Sequence, residues 1–309
     1  MKIISLFSVL RGYNIPIIAL AQYLSAIFIL APKHMRTLEI ILDWRLFILV
    51  LASSLSIASG YIINNFYDSD KDLINRPNKS MLDRLVSQRT KLYVYFGLNF
   101  LVFLLALLVS WRVAIFYSAY IFLIWFYSHK LKKYPIIGNI TASLLAILPF
   151  FGILIYYLKR DHFKYLESAQ MEIVFAHASF LFLLLLIREM VKDLENLAGD
   201  FATNYKTIPV VYGEIASKKT ITILTVLTLF PVYILVNIYD VSFMDIYFYC
   251  CLLALVFFIS KLWASKDKAQ FVRLHNLLKL LIVAGVFSII LIDPEVLVHG
   301  RKFIPEVVF

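Results

Sequence analysis

Charge is scarce in this 309-residue chain: Asp, Glu, Lys and Arg together make up 16% of it, while 61% is hydrophobic. A soluble globular protein carries about a quarter of its residues as charges, so that class is excluded at the outset. Cysteine is scarcer still. Cys250 and Cys251 are adjacent inside an apolar run, which excludes an ordinary disulfide framework, and no second pair exists to complete a thiolate metal site. They are read as packing residues. Nine glycines and nine prolines form no low-complexity linker, so residues 1–309 read as a single membrane domain. No apolar run alternates with polar residues, which excludes a membrane β-barrel. No small-residue cleavage site follows the opening M-K-I-I-S-L-F-S-V-L-R-G, and no cleaved signal peptide is expected.

What is present is a series of apolar stretches of about 18 to 22 residues, the length that crosses a bilayer core. They fall at 13–31, 44–64, 92–110, 113–128, 137–157, 173–190, 220–238, 245–264 and 275–292. The expectation is an all-α polytopic membrane protein with nine transmembrane helices. The formal charge of +10 would suit a nucleic-acid partner, but its distribution points elsewhere. If the helices alternate direction, the N-terminus and the connections at 64–91, 128–136, 188–219 and 261–279 hold 21 of the 30 lysines and arginines. That bias is the positive-inside pattern. It predicts these loops and the N-terminus in the cytoplasm, the C-terminus outside and no nucleic-acid partner. A bacterial inner membrane is the expected location.

Two polar clusters end long apolar helices on that same side. Residues 64–72 read N-N-F-Y-D-S-D-K-D. Continued as helix, Asn64, Asp68 and Asp72 fall at about 0°, 40° and 80° on the wheel, whereas Asp70 points away and, with Lys71, reads as solvated. Such a cluster alone is ordinarily a solvated helix cap. The second cluster, R-E-M-V-K-D-L-E-N-L-A-G-D at 188–200, repeats the pattern. There Glu189, Asp193, Asn196 and Asp200 lie within about 60° of one another. Two facing acidic stripes repel unless cations lie between them, and the all-oxygen donor set suits magnesium, with two ions attracting a diphosphate.

Basic residues on that side can hold phosphate oxygens: Arg76 and Lys79 after the first stripe, and Lys130, Lys132 and Lys133 after the fourth span. Below the polar mouth, some of the 26 Phe and 19 Tyr can line a slot for an apolar chain and face a developing cation. An offset of 125 residues aligns Asn14 with Asn139 and Asp68 with Asp193, a faint sign of internal duplication that directs Asn14 toward the cavity. A helix-capping role for Asn14 is equally open. Gln22 and Tyr23 are candidates for an acceptor head group. His177, within the sixth span, reads as a hydrogen-bonded neutral histidine or a proton-transfer group; His129 and His275 need no special role.

With these residues in view, the chain resembles the UbiA superfamily of intramembrane prenyltransferases. Residues 64–72 match the first family motif, N-D-x-x-D-x-x-x-D, and Asn75-Arg76-Pro77 matches its N-R-P continuation. Residues 192–200, K-D-L-E-N-L-A-G-D, are similar to the second motif, K-D-x-E-D-x-x-G-D, and 206–213, K-T-I-P-V-V-Y-G, to its sequel. Tyr127-Ser128, Leu131-Lys132 and Gly138-Asn139 resemble the connection between the fourth and fifth helices. Two positions depart from the pattern: Asn65 and Asn196 stand where the motifs carry Asp.

The resemblance implies a nine-helix bundle with a cytoplasmic polar cavity and Mg2+-dependent transfer of a polyprenyl group from its diphosphate to a membrane-associated acceptor. It implies Asp68, Asp72, Asp193 and Asp200 as catalytic, these four and Asn64 as metal ligands, and Asn64, Arg76, Lys132 and Asn196 as diphosphate contacts. Asn14, Asn139 and Tyr127 are weaker candidates for the acceptor or cavity. The stretch R-G-Y-N-I-P-I-I-A-L-A-Q-Y-L resembles the branch that transfers geranylgeranyl to a prenylated glycerol phosphate. An aromatic acceptor of the menaquinone or 4-hydroxybenzoate type is the alternative within the family. A secondary transporter is the alternative outside it, although transporters place their acids near the bilayer midplane.

Overall fold

A computed structural model describes residues 2–30, 35–159, 168–239 and 241–300. These form helices in chain order: α1 (Lys2–Val9), α2 (Ile15–Ser25, extended by a π-helical turn to Leu30), α3 (Thr37–Ile41), α4 (Trp44–Tyr67), α5 (Ser69–Asn75), α6 (Pro77–Asp83), α7 (Gln88–Val109) and α8 (Trp111–His129). Then follow α9 (Ile137–Lys159), α10 (Ser168–Glu195), α11 (Leu197–Ala202), α12 (Ile208–Leu227), α13 (Leu229–Tyr233), α14 (Asp245–Ala264), α15 (Lys268–Ser288) and α16 (Glu295–His299). No β-strand occurs among the described residues. Side-chain caps fix several helix starts. Asp43 accepts from the Arg45 amide, Ser87 from Thr90, Ser110 from Val113 and Asp267 from Gln270, each satisfying an amide the helix leaves orphaned.

Among the described residues, eight segments are long and apolar enough to cross a membrane: Trp44–Tyr67, Gln88–Val109, Trp111–Lys133, Ile137–Tyr157, Met171–Glu195, Ile208–Ile238, Ser242–Ala264 and Lys268–Ile292. The first stretch expected to span, Ile15–Leu30, is shorter. At 1.5 Å per residue it reaches about 24 Å, against about 30 Å of hydrocarbon. The seventh expected span begins earlier than its apolar core, because Ile208 and Pro209 already start the helix. Hydropathy misses that turn, which is polar from Gly213 to Thr220.

Two sub-bundles carry the acidic clusters. In one, α4 packs against α7 and α8; in the other, α10 packs against α9, α12 and α15. Their shared core includes Leu46, Ile62, Tyr117, Ile187, Phe248 and Phe258. Cys251 is buried in it and Cys250 is exposed, as packing residues would be. His177 bonds through Nδ1 to the Ile173 carbonyl of its own helix at 2.9 Å.

Polar groups inside the bundle meet the demand that backbone carbonyls be satisfied where water is absent. Pro149 lies within α9 and has no N–H to give the Leu145 carbonyl one turn earlier. The Tyr120 hydroxyl from α8 donates to that carbonyl instead, at 3.0 Å. Gln22, buried, donates to Ser53 Oγ at 2.8 Å and to the Pro149 carbonyl at 3.1 Å, so it ties α2 and α4 to the proline turn rather than serving an acceptor head group. Tyr120→Phe is expected to strand the Leu145 carbonyl and destabilise the bundle by about 1–2 kcal/mol. In a Pro149→Ala background the restored N–H fills that role, and the same change should then cost less than about 0.5 kcal/mol. Thermal or denaturant unfolding in detergent checks the coupling; equal losses in both backgrounds would contradict it.

Candidate active site

Both acidic clusters share a local geometry that wheel arithmetic did not anticipate. α4 ends at Tyr67, Asp68 leaves helical conformation (φ −92°, ψ 6°), and α5 begins at Ser69. Likewise α10 ends at Glu195, Asn196 breaks the helix (φ −101°, ψ 10°), and α11 begins at Leu197. The helix-spaced backbone bonds nevertheless run through each break: Asp68 N to Asn64 O and Asp72 N to Asp68 O, and Asn196 N to Lys192 O and Asp200 N to Asn196 O. The polar stripes therefore survive the bends.

Side chains lock the two breaks together. Asn75 at the end of α5 is buried and accepts from the Gly199 amide at 3.1 Å. A Cβ on Gly199 would meet the Asn75 side chain at 2.3 Å, so glycine permits this close approach. Lys268 at the start of α15 donates to the Asn75 carbonyl. Arg76 reaches Glu195 Oε1 at 2.7 Å, and His275 of α15 lies 2.7 Å from Glu195 Oε2. His275, which needed no role on sequence grounds, thus braces the site.

The result is a narrow polar cleft at the ends of α4 and α10, lined among others by Asn64, Asp68, Asp72, Asp193 and Asn196. Arg76, Lys132, Asn139, Tyr127 and Glu189 line it too. Asn139 donates to Asp193 Oδ2 at 2.7 Å. Lys132 Nζ lies 2.7 Å from Asp68 Oδ1 and 3.0 Å from Asn64 Oδ1. Lys71 Nζ lies 2.6 Å from Asp200 Oδ1. Tyr205 donates to Asp68 Oδ1 at 2.9 Å, and its ring lies 4.3 Å below the Lys71 ammonium.

These contacts set the charges. Burial favours the neutral acid at Asp68, but the Lys132 and Lys71 ammonium groups, with hydrogen bonds from Lys132 and Tyr205, outweigh it and hold the carboxyl below its ordinary value. Burial and the neighbouring Asp68 charge push Asp72 up. Burial pushes Asp200 up as well, and Lys71 only partly opposes it. Asp200 is fully buried, and although Lys71 is close, neither carboxylate oxygen has a donor in hydrogen-bonding alignment. A buried carboxylate needs a countercharge, and the Lys71 ammonium supplies it. Among the described residues no three Asp, Glu, His or Cys side chains converge into a ready metal cage. The donors are oxygens on two opposed elements, which fits a hard divalent cation bound by one or two carboxylates plus substrate phosphate.

Most of the residues expected from sequence meet here, with five corrections. Asp200 is fully buried and outside the cleft lining; Lys71, which lines the cleft, contacts it at 2.6 Å. Asn14 is outside the cleft lining; it contacts the Tyr61 hydroxyl at 3.4 Å. Lys71, read as solvated, is only 15% exposed and points inward, whereas Asp70 is 93% exposed as expected. Asn65 does not stand in for a metal ligand: it is buried and donates to Asp83 Oδ2 at 3.0 Å. Lys79 lies 4.0 Å from that same Asp83 and outside the cleft. Glu189 reaches the cleft already paired to Arg188 and Lys192. Arg11, Tyr134 and Thr207 also line the cleft; they and Tyr205 lie outside the helical stripes, so periodicity could not find them. Only their position beside a motif hinted at them.

Comparison with known proteins identifies relatives of the chain and of its fold. Digeranylgeranylglyceryl phosphate synthase of Thermococcus sibiricus is 32% identical over 171 residues, which cover 55% of this chain and 57% of that protein. The chain thus matches little more than half the length of that relative. A solved structure concerning digeranylgeranylglyceryl phosphate synthase in membranes superposes with a TM-score of 0.67 at 19% identity, covering 94% of this chain and 97% of its own. A UbiA homolog from Archaeoglobus fulgidus bound to DMAPP and Mg2+ gives 0.65 at 15% identity, with 93% and 99% covered. At these identities the two structures establish a shared fold. Residues 19–283 match the sequence model of the UbiA prenyltransferase family, and the chain belongs to that family.

Proposed function

We propose that the protein transfers a polyprenyl group, geranylgeranyl in the first instance, from its diphosphate to the free hydroxyl of a prenylated glycerol phosphate within the membrane. One observation carries this reading: Asp68, Asp72 and Asp193 line one cleft with Lys71, Lys132 and Arg76, and Lys71 contacts the buried Asp200 at 2.6 Å. The name of the Thermococcus relative supports the acceptor, and the DMAPP and Mg2+ bound to the Archaeoglobus homolog support the donor and metal.

Asp68, Asp72, Asp193 and Asp200, with Asn64, would hold magnesium, which when bound neutralises charge developing on the leaving diphosphate. Lys132 and Arg76 hold phosphate oxygens and orient the allylic carbon down into the bundle. Asn139 keeps the Asp193 carboxylate turned to the cleft. Cleavage of the allylic C–O bond sends its electron pair to the diphosphate. The acceptor hydroxyl oxygen then forms the new C–O bond, and its proton goes to the released diphosphate. Tyr127 lines the cleft and would lend its ring to support the cationic carbon, and the membrane-embedded bundle keeps water from capturing that carbon first.

In this reading residues 1–309 form one membrane domain, with Ile15–Leu30 as a ninth, shorter crossing beside the eight longer ones. The excess of Lys and Arg at the cleft end places that end and the N-terminus in the cytoplasm and the C-terminus outside. The relatives are archaeal and favour an archaeal cell membrane; they give no support to the bacterial inner membrane expected from sequence.

Asp68→Asn is expected to lower metal-dependent diphosphate release in detergent by at least about 100-fold, and chelation of Mg2+ should abolish it reversibly; near-normal turnover in either case would sink the metal assignment. Mass spectrometry of products from an acceptor panel tests the substrate. Geranylgeranylglyceryl phosphate should gain one geranylgeranyl group while 4-hydroxybenzoate and a menaquinone-type acid stay unmodified. Prenylation of the aromatic acids alone would contradict the lipid reading, and no diphosphate release with any acceptor would favour a transporter.

A further inference from the structure

Lys71 lines the cleft and has no part in the metal and diphosphate roles given above. Its ammonium lies 2.6 Å from Asp200 Oδ1 and 4.3 Å from the centre of the Tyr205 ring. It thus stands between the two acidic elements, where two magnesium ions were expected from sequence. We infer that Lys71 is a tethered cation that replaces one of those ions, so that the protein loads a single divalent ion with its prenyl diphosphate. The inference rests on the function proposed above.

The protein's own charges point the same way before the diphosphate is added. Lys71 already neutralises one carboxylate of the second acidic element, so that element offers a second ion one anion fewer. The other charged groups of the lining are already paired, Arg76 with Glu195 and Lys192 with Glu189. Arg11 adds positive charge near Asp72, which lowers the demand for a second ion further. The second stripe also has one anion fewer than its motif, since the cleft-lining Asn196 is neutral. A second divalent ion on Asp200 would have to displace or closely approach the Lys71 ammonium, and like charges in a partly desolvated cleft repel strongly. Lys71 cannot retreat freely, because α5 is held by the Asn75 bond to Gly199 and by Lys268.

The test counts ions. Full-length protein in detergent is saturated with geranylgeranyl S-thiolodiphosphate, an unreactive donor analogue, and titrated with Mn2+, whose free signal is read by electron paramagnetic resonance. One Mn2+ per chain is expected for the wild type and for Lys71→Arg, and two for Lys71→Met. Lys71→Gln serves as a second uncharged variant should Lys71→Met fail to run as a single species on size exclusion. Two ions in the wild type, or one in every variant, would overturn the inference and leave the prenyl-diphosphate reading intact. Absence of analogue-dependent Mn2+ binding in all variants would overturn both.

Discussion

Four carboxylates gathered at the ends of two helices repel one another, and the cleft exists only because positive charge is placed among them. Lys132 on Asp68 and Lys71 on Asp200 supply part of that charge. Burying such pairs is costly unless the geometry is held, and much of the surrounding structure serves to hold it. The helix breaks at Asp68 and Asn196 turn the carboxylates toward each other. The contact of Asn75 with Gly199 fixes the separation of the two breaks, and the Arg76, Glu195 and His275 cluster ties both to α15. Removing the countercharge would leave uncompensated buried anions, whereas a divalent cation supplies further countercharge and offers a ligand position to an anionic diphosphate. Binding and architecture are therefore one electrostatic problem.

The membrane sharpens that problem. Polar groups within the hydrocarbon must find partners inside the protein, and the proline turn of α9 meets this through Tyr120 and Gln22. Farther along the same bundle the carboxylates sit at helix ends, where solvent and anionic substrate can reach them. That placement separates a site of diphosphate chemistry from the midplane acids of a transporter.

Much of this was legible in the sequence. The apolar runs gave eight spans because length and hydropathy are additive properties of a segment. The first run fell short because hydropathy cannot tell a 16-residue helix from a crossing one. Asn64, Asp68, Asp72, Asp193, Asn196 and Asp200 were legible because i, i+4 spacing persists through both breaks. Lys71 was misread although it falls about 20° from Asn64 on the wheel, beside the acidic stripe; its charge at a helix end suggested solvent, whereas its partner Asp200 lies in the other cluster, 129 residues on. Asn65 looked like a lost ligand but belongs to a contact with Asp83, 18 residues on, which no local pattern encodes. Tyr205 and Arg11 reach the site from beyond the helix ends, where periodicity carries no information.

The central claim is that substrate diphosphate and divalent metal meet between the ends of α4 and α10. Anomalous diffraction from crystals grown with Mn2+ and the thiolodiphosphate analogue tests it most directly. The account predicts anomalous density within coordination distance, about 2–2.5 Å, of carboxylates from the Asp68–Asp72 and Asp193–Asp200 segments, with the diphosphate beside Lys132 and Arg76. Metal and diphosphate located elsewhere in the bundle, with Asp68 and Asp200 still held by their lysines, would contradict it.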